Sequence, residues 1–418
     1  MVTMGNSLGR ALLFGVIGVA AISNASGFNL TPFQINLSAG VPRMLEFVND
    51  TILPAQPAYP GLGDSLGIDL DVVKSLKNQW LEEFDWDAEQ RDMNLLPQYT
   101  AEIEGHSIHF VHAKSRDPDA IPLLINHGWP GSSFLEFEPI IDKLTTVVHT
   151  SHLGQDKKVS FDVIIPSLPG FAFSSPAPKN WTLDDTARIY NRLMTEVLGY
   201  PKFAVHGTSH GAAIAYTLYE DYTDTTRAAH FSFIPFFPPT GEQVKAMNIS
   251  LTPLEKDMLD RSDEWSKTGN AYFLLQQYQP NTIGLALQDN PIGLLSWIGE
   301  KYIEWSNPNA GIPPSLLTHN EILRCVSLYF LTKSFITSIF TYAQNPTAFR
   351  SVYSKAPTTA PMLLSQFRYN VGYWPRQIAE SVGNLVEYRN HESGGNFPGL
   401  DNPEALISDI RRIGEYWV

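Results

Sequence analysis

The sequence predicts an α/β fold, with a mostly parallel sheet covered by helices on both faces. Three observations carry that expectation. Short apolar runs recur at 107–113, 122–126, 161–165 and 203–206, and helical patterns at 133–146, 183–198 and 210–222 separate them. The alternation lapses, then resumes at 361–366 and 385–389 before an end helix at about 402–413. Strands buried on both faces read as continuous apolar runs, and strands alternating with helices imply parallel pairing.

Each segment follows from its own pattern. Residues 31–105 lack alternating strand runs and read as a helical N-terminal domain. Within it, Leu70 to Glu83 has helical periodicity, with Val73, Leu76, Trp80 and Leu81 near one face. Pro54, Pro57, Pro60, Gly61 and Gly63 mark a loop. The core occupies 106–239 and 356–418. Residues 240–355 between them turn helical and aromatic, the pattern of a lid inserted over a site.

The first segment reads as an address. Arg10 precedes an apolar run, Ala11 to Ile22, that ends in small residues around Ala25. A bilayer span needs about 20 apolar residues, so residues 1–25 read as a signal peptide or a short anchor. Asn-x-Ser/Thr triplets at Asn36, Asn49, Asn180 and Asn248 agree with a secreted or lumenal glycoprotein. Any membrane contact is expected through the N-terminal segment alone, if it stays uncleaved.

Composition narrows the function. The 418 residues carry 29 Lys+Arg against 43 Asp+Glu, a net charge of −14, with no basic run. Nucleic-acid affinity comes largely from neutralising phosphates with Lys and Arg, so that class is excluded. One cysteine, Cys325, rules out an internal disulfide and a cysteine zinc cluster, and its apolar neighbours place it on a buried helix face. The histidines cluster poorly. His106, His109 and His112 are three apart on a strand, so the middle one faces away, and His149 and His152 read as loop residues. No metal or cofactor is expected. The 9 Trp, 17 Tyr and 23 Phe are enough to line an apolar pocket, which implies a hydrophobic small-molecule substrate.

The chemical signal lies in Gly207-Thr208-Ser209-His210-Gly211, which follows a strand and opens a helix. That context makes it a nucleophile elbow, where the chain reverses so sharply that only small residues fit beside the exposed serine. His127-Gly128-Trp129-Pro130-Gly131 ends an earlier strand. The backbone N–H groups of Trp129 and His210 are therefore the expected oxyanion hole.

From residue 31 onward the chain resembles the microsomal-type epoxide hydrolases of the α/β-hydrolase superfamily. The resemblance rests on Glu83-Phe-Asp-Trp86, Ile103-Glu-Gly-His-Ser-Ile-His-Phe110, His127-Gly-Trp-Pro-Gly131, Pro166-Ser-Leu-Pro-Gly170, Pro291-Ile-Gly-Leu-Leu295, Gly299-Glu-Lys301 and Gly394-Gly-Asn-Phe397. It implies an α/β-hydrolase fold with an N-terminal helical domain and a helical lid. It also implies an elbow aspartate that forms an ester, a His–acid pair that hydrolyses it, and two lid tyrosines that hydrogen-bond the epoxide oxygen. The tyrosine positions match Tyr272, ahead of the Gln279-Pro280-Asn281 turn, and Tyr342, after an expected helix at 320–340. The relay does not match: the elbow holds Ser209, the acid position Asn370, and the histidine position Asn396.

A serine hydroxyl is a poor nucleophile until a base takes its proton, and an amide cannot serve. The candidate replacements for the base are His391 and His127. His210 also adjoins the elbow, with no side-chain direction readable from the sequence. Three outcomes follow: an epoxide-hydrolase-like enzyme using Ser209, a non-hydrolytic cyclase or isomerase using the tyrosine pair, or an inactive small-molecule binding protein. The substrate would be an epoxide, ester or polyketide-like molecule of secondary metabolism.

Overall fold

A computed structural model describes residues 28, 30–152 and 155–417. The leader expected at 1–25 lies outside them. Among the described residues eleven strands run in chain order as β1 (Leu30–Pro32), β2 (Gln98–Ile103), β3 (His106–Ala113), β4 (Ile121–Asn126), β5 (Val148–His152), β6 (Gln155–Val159), β7 (Phe161–Pro166), β8 (Phe203–Gly207), β9 (Thr226–Phe231), β10 (Met362–Tyr369) and β11 (Leu385–Gly395). Nine form one sheet in the order β1-β2-β3-β7-β4-β8-β9-β10-β11. From β7 to β11 every pairing is parallel; the β1 to β3 side is antiparallel.

The central strands are the most apolar because helices cover them. All five residues of β8 are buried, and so are five of the six in β4. The helix after β8, Ser209–Asp221, buries Ala212, Ala213 and Ala215, and Ala212 and Ala215 lie beside Gly207 of β8. Small side chains let it approach closely.

Four features depart from the sequence reading. The N-terminal segment supplies two strands, β1 and β2, to the core sheet rather than helices alone. Its central helix, Leu70–Glu82, matches expectation; Asp69 caps it, and Val73, Leu76 and Trp80 are buried. β9 has no counterpart in the predicted strands, because Arg227 and His230 interrupt its apolar run; His230 is nevertheless buried. His149 and His152 lie on β5 of a small hairpin with β6, not in a loop.

The fourth departure concerns the lid. The segment expected as one helix at 320–340 is two, His319–Thr332 and Phe335–Gln344, broken at Lys333, whose φ is +56°. They meet at 90°, so Tyr342 sits on the second helix rather than after the first. By length and composition this bent pair alone could cross a membrane among the described residues, yet its first helix is largely buried in the protein. Cys325 is buried on that helix, and burial raises its thiol to about 12.

Candidate active site

The site is assembled where the parallel strands end, the usual place for ligands in such sheets. β8 delivers Ser209 with a φ of +49°, a left-handed conformation that a non-glycine residue adopts at a cost of roughly 1–3 kcal/mol. Its neighbours explain the small residues of the motif. A Cβ on Gly211 would lie 2.2 Å from the Asn126 carbonyl oxygen, and one on Gly207 would lie 2.5 Å from the Gly211 carbonyl oxygen. Gly128 also presses on the elbow, since its Cβ would fall 2.3 Å from the Ser209 Cβ.

β4 delivers His127, Gly128 and Trp129 beside the serine. The Ser209 hydroxyl donates to the Trp129 carbonyl at 3.4 Å. His210 begins the helix, so its N–H has no partner one turn earlier and is free by geometry for an oxyanion.

The lid supplies the ceiling. Tyr272, on helix Ala271–Tyr278, and Tyr342 are buried with ring centroids 6.1 Å apart and planes 83° apart. Burial holds both phenols protonated well above their usual range, and Tyr272 pushes Tyr342 further the same way. Trp129 stacks on Tyr272 and meets Tyr342 edge-on. The Lys301 ammonium lies 5.1 Å from the centroid of the Tyr272 ring, held by Glu300 at 2.5 Å.

Ser209, His210, Tyr272, Tyr342 and Asn396 line one partly open cavity. Its remaining wall is mostly aromatic, including Phe233, Phe273, Phe349, Trp265 and Trp305. Asn370 is buried just behind it, next to the lining residue Val371. Its side-chain NH2 donates to the Ser232 carbonyl at 2.9 Å, and its side-chain oxygen accepts from the Val371 N–H at 2.8 Å. The amide therefore ties the loops after β9 and β10 together. Asn396 follows β11 directly, and its backbone N–H donates to the Trp305 carbonyl at 2.8 Å.

The two alternative bases lie elsewhere. His127 Nδ1 donates to the Gly128 carbonyl at 3.0 Å, and its Nε2 accepts from the Leu168 N–H at 3.0 Å. Burial lowers its pKa to about 4. Both nitrogens are committed to positioning loops. His391 Nε2 pairs with Asp409 at 2.6 Å, and its ring stacks on Phe367 outside the cavity. Among the described residues, no histidine hydrogen-bonds Ser209, and no cluster of three or more His, Cys, Asp or Glu could hold a metal.

The sequence reading missed the His210 side chain, whose ring lines the cavity, and the walls formed by Trp265, Trp305 and Phe349. Their spacing carries no signal, because three separate lid segments bring them together.

Comparison with known proteins agrees with this architecture. The family described as epoxide hydrolase N terminus matches residues 30–137, and the α/β hydrolase fold family matches residues 121–260. The Aspergillus niger epoxide hydrolase structure is 31% identical, with a TM-score of 0.79 over 94% of this chain and 98% of that one. The juvenile hormone epoxide hydrolase of Bombyx mori is 25% identical, with a TM-score of 0.81 over 94% of this chain and 95% of that one. Epoxide hydrolase 1 of Oryctolagus cuniculus is 28% identical over 82% of this chain and 80% of its own length. With this coverage and the nucleophile elbow in place, the chain belongs to the epoxide hydrolase family of the α/β-hydrolase superfamily.

Proposed function

We propose that this enzyme acts on a hydrophobic oxygenated small molecule whose oxygen is polarised by Tyr272 and Tyr342, without an ester at Ser209. One observation carries the reading. The tyrosine pair closes over the elbow, while the Ser209 hydroxyl donates to the Trp129 carbonyl instead of an imidazole. Two buried phenols can hydrogen-bond a developing oxyanion, and an aromatic cavity can fold a flexible chain onto itself. Cyclisation or isomerisation needs no covalent ester at the elbow. A polyketide-like epoxide of secondary metabolism fits this reading, because the pocket is kept while the relay residues are amides.

Turnover that survives Ser209→Ala and falls about tenfold or more in Tyr272→Phe or Tyr342→Phe is the expected result. The reverse pattern overturns it.

A second reading has its own observation, the left-handed backbone that presents Ser209 in the cavity. If Ser209 is a working nucleophile, a fluorophosphonate probe labels it and Ser209→Ala abolishes the labelling. Tight ligand binding with no product under any condition would instead mark a binding protein.

The protein is also proposed to enter the secretory pathway. Asn36, Asn49, Asn180 and Asn248 are all exposed, as glycan acceptors must be. Material expressed in a eukaryotic host should lose mass on peptide N-glycosidase treatment; an unchanged mass sinks the idea.

A further inference from the structure

The cavity has oxygen-polarising donors, but a reaction that consumes an O–H group also needs an acceptor for its proton. Among the described residues, no carboxylate lines the cavity, and the amide of Asn396 is not basic. Among them His210 is the one lining residue with a basic lone pair. Its ring is 2% exposed and packs edge-on against Tyr342 at 4.4 Å and Phe349 at 5.2 Å between centroids.

Neither imidazole nitrogen hydrogen-bonds another described group, and Nδ1 is fully buried without a partner. An unpaired buried polar atom has lost its water without gaining a partner, which destabilises it. A substrate that donates to this ring removes the deficit, so the site favours a ligand carrying its own hydroxyl.

We propose that His210 is the proton acceptor of an intramolecular epoxide opening, and that the substrate class is an apolar epoxy alcohol. The inference rests on the tyrosine-polarisation reading above. The substrate hydroxyl oxygen forms a bond to an epoxide carbon as the epoxide C–O bond breaks, and the hydroxyl proton passes to His210. The epoxide oxygen, held by Tyr272 and Tyr342, takes the phenolic proton of Tyr342. The Tyr342 phenolate then recovers a proton from the imidazolium packed against it. The result is a cyclic ether bearing a new hydroxyl, an isomer of the substrate, with no water consumed.

Burial alone lowers the His210 pKa to about 3, so the resting ring is neutral and its lone pair is unprotonated. The titratable side chains sharing its cavity are Tyr272 and Tyr342, both held neutral. The imidazolium forms only opposite the developing oxyanion, where low polarity strengthens their attraction.

The test uses the full-length protein and a phenyl-bearing γ,δ-epoxy alcohol in isotopically labelled water, with products identified by mass. Unlabelled cyclic ether is expected, with kcat lowered about a hundredfold in His210→Gln and partly restored to His210→Ala by added imidazole. Circular dichroism on each variant separates lost chemistry from lost fold. Should His210→Gln misfold, imidazole rescue of His210→Ala decides alone. Cyclic ether formed equally well by folded His210→Gln overturns the role of His210 and leaves the tyrosine reading standing. Labelled diol overturns the tyrosine reading itself. No product from the wild-type protein overturns the substrate class.

Discussion

Trp129 lies flat against Tyr272, with ring centroids 5.3 Å apart and planes 15° from parallel. The contact joins the loop after β4 to a lid helix, so one side chain supports both the oxyanion loop and the substrate-facing phenol. Trp129→Ala should therefore lower stability by about 3–5 kcal/mol, through lost burial and the cavity left behind. Denaturant unfolding measures this. Trp129→Phe should retain most of the stability and more of the activity, whereas equal activity in the two variants would show that the stack does not position Tyr272.

Gly128 is held to glycine by Ser209, because any Cβ there would sit 2.3 Å from the serine Cβ and 3.0 Å from the Thr208 carbonyl oxygen. Neither elbow neighbour can give way without moving backbone. Gly128→Ala is expected to cost roughly 3 kcal/mol or more and to eliminate turnover. A crystal structure of that variant with an unmoved elbow would contradict the account.

Arg324 is buried between Glu89 of the N-terminal segment at 3.2 Å, Glu138 of the core at 2.6 Å, and Glu321 of its own helix at 3.7 Å. Arg324→Met leaves these carboxylates without their cation. Breaking a buried ion pair from one side costs about 3–5 kcal/mol, so thermal unfolding should begin well below that of the parent. Adding Glu138→Gln should recover part of the loss; no recovery would argue against coupling between the two.

Acid should destabilise the protein well before its carboxylates titrate. Burial lowers the pKa of His109, His112, His206 and His210 to about 3 and of His127 to about 4, and drives His230 well below its usual range. These bases have depressed folded-state values, so their contribution is full above the unfolded value near 6.5 and is lost as pH falls. At about pH 5 each of the first five costs roughly 2 kcal/mol, and together they are on the order of the whole stability of a domain; His230 adds in the same direction. Glu136, raised by burial to about 8, opposes this trend, as do the carboxyls of Glu138, Asp221, Glu304, Glu321 and Asp401, which burial also raises. Urea midpoints measured from about pH 7 to about pH 5 should fall steeply, and a flat profile would refute the burial argument.

Several of these relationships were visible in the order of residues. The central strands were legible because burial on both faces leaves an unbroken apolar run, and the elbow because its turn admits only small residues. β9 was hidden because Arg227 and His230 look polar in sequence. His230 is buried all the same, its Nδ1 2.9 Å from His206 Nδ1 and its Nε2 3.0 Å from the Ser365 hydroxyl. The lid break at Lys333 escaped notice because no Gly or Pro marks it in Thr332-Lys333-Ser334, so nothing local demands the turn.

What the sequence determined by itself was the α/β fold and the elbow at Ser209, which depend on periodicity and local sterics. The amides at 370 and 396 and the pair Tyr272 and Tyr342 were implied by the resemblance to epoxide hydrolases. Only the tertiary structure decided which imidazole meets the cavity. His127, His210 and His391 are equivalent as letters, but packing commits the first to loop hydrogen bonds and the third to Asp409. The ring of His210 is left unpaired against Tyr342. Side-chain direction is set by neighbours distant in the chain, and those neighbours meet only once the lid has closed on the sheet.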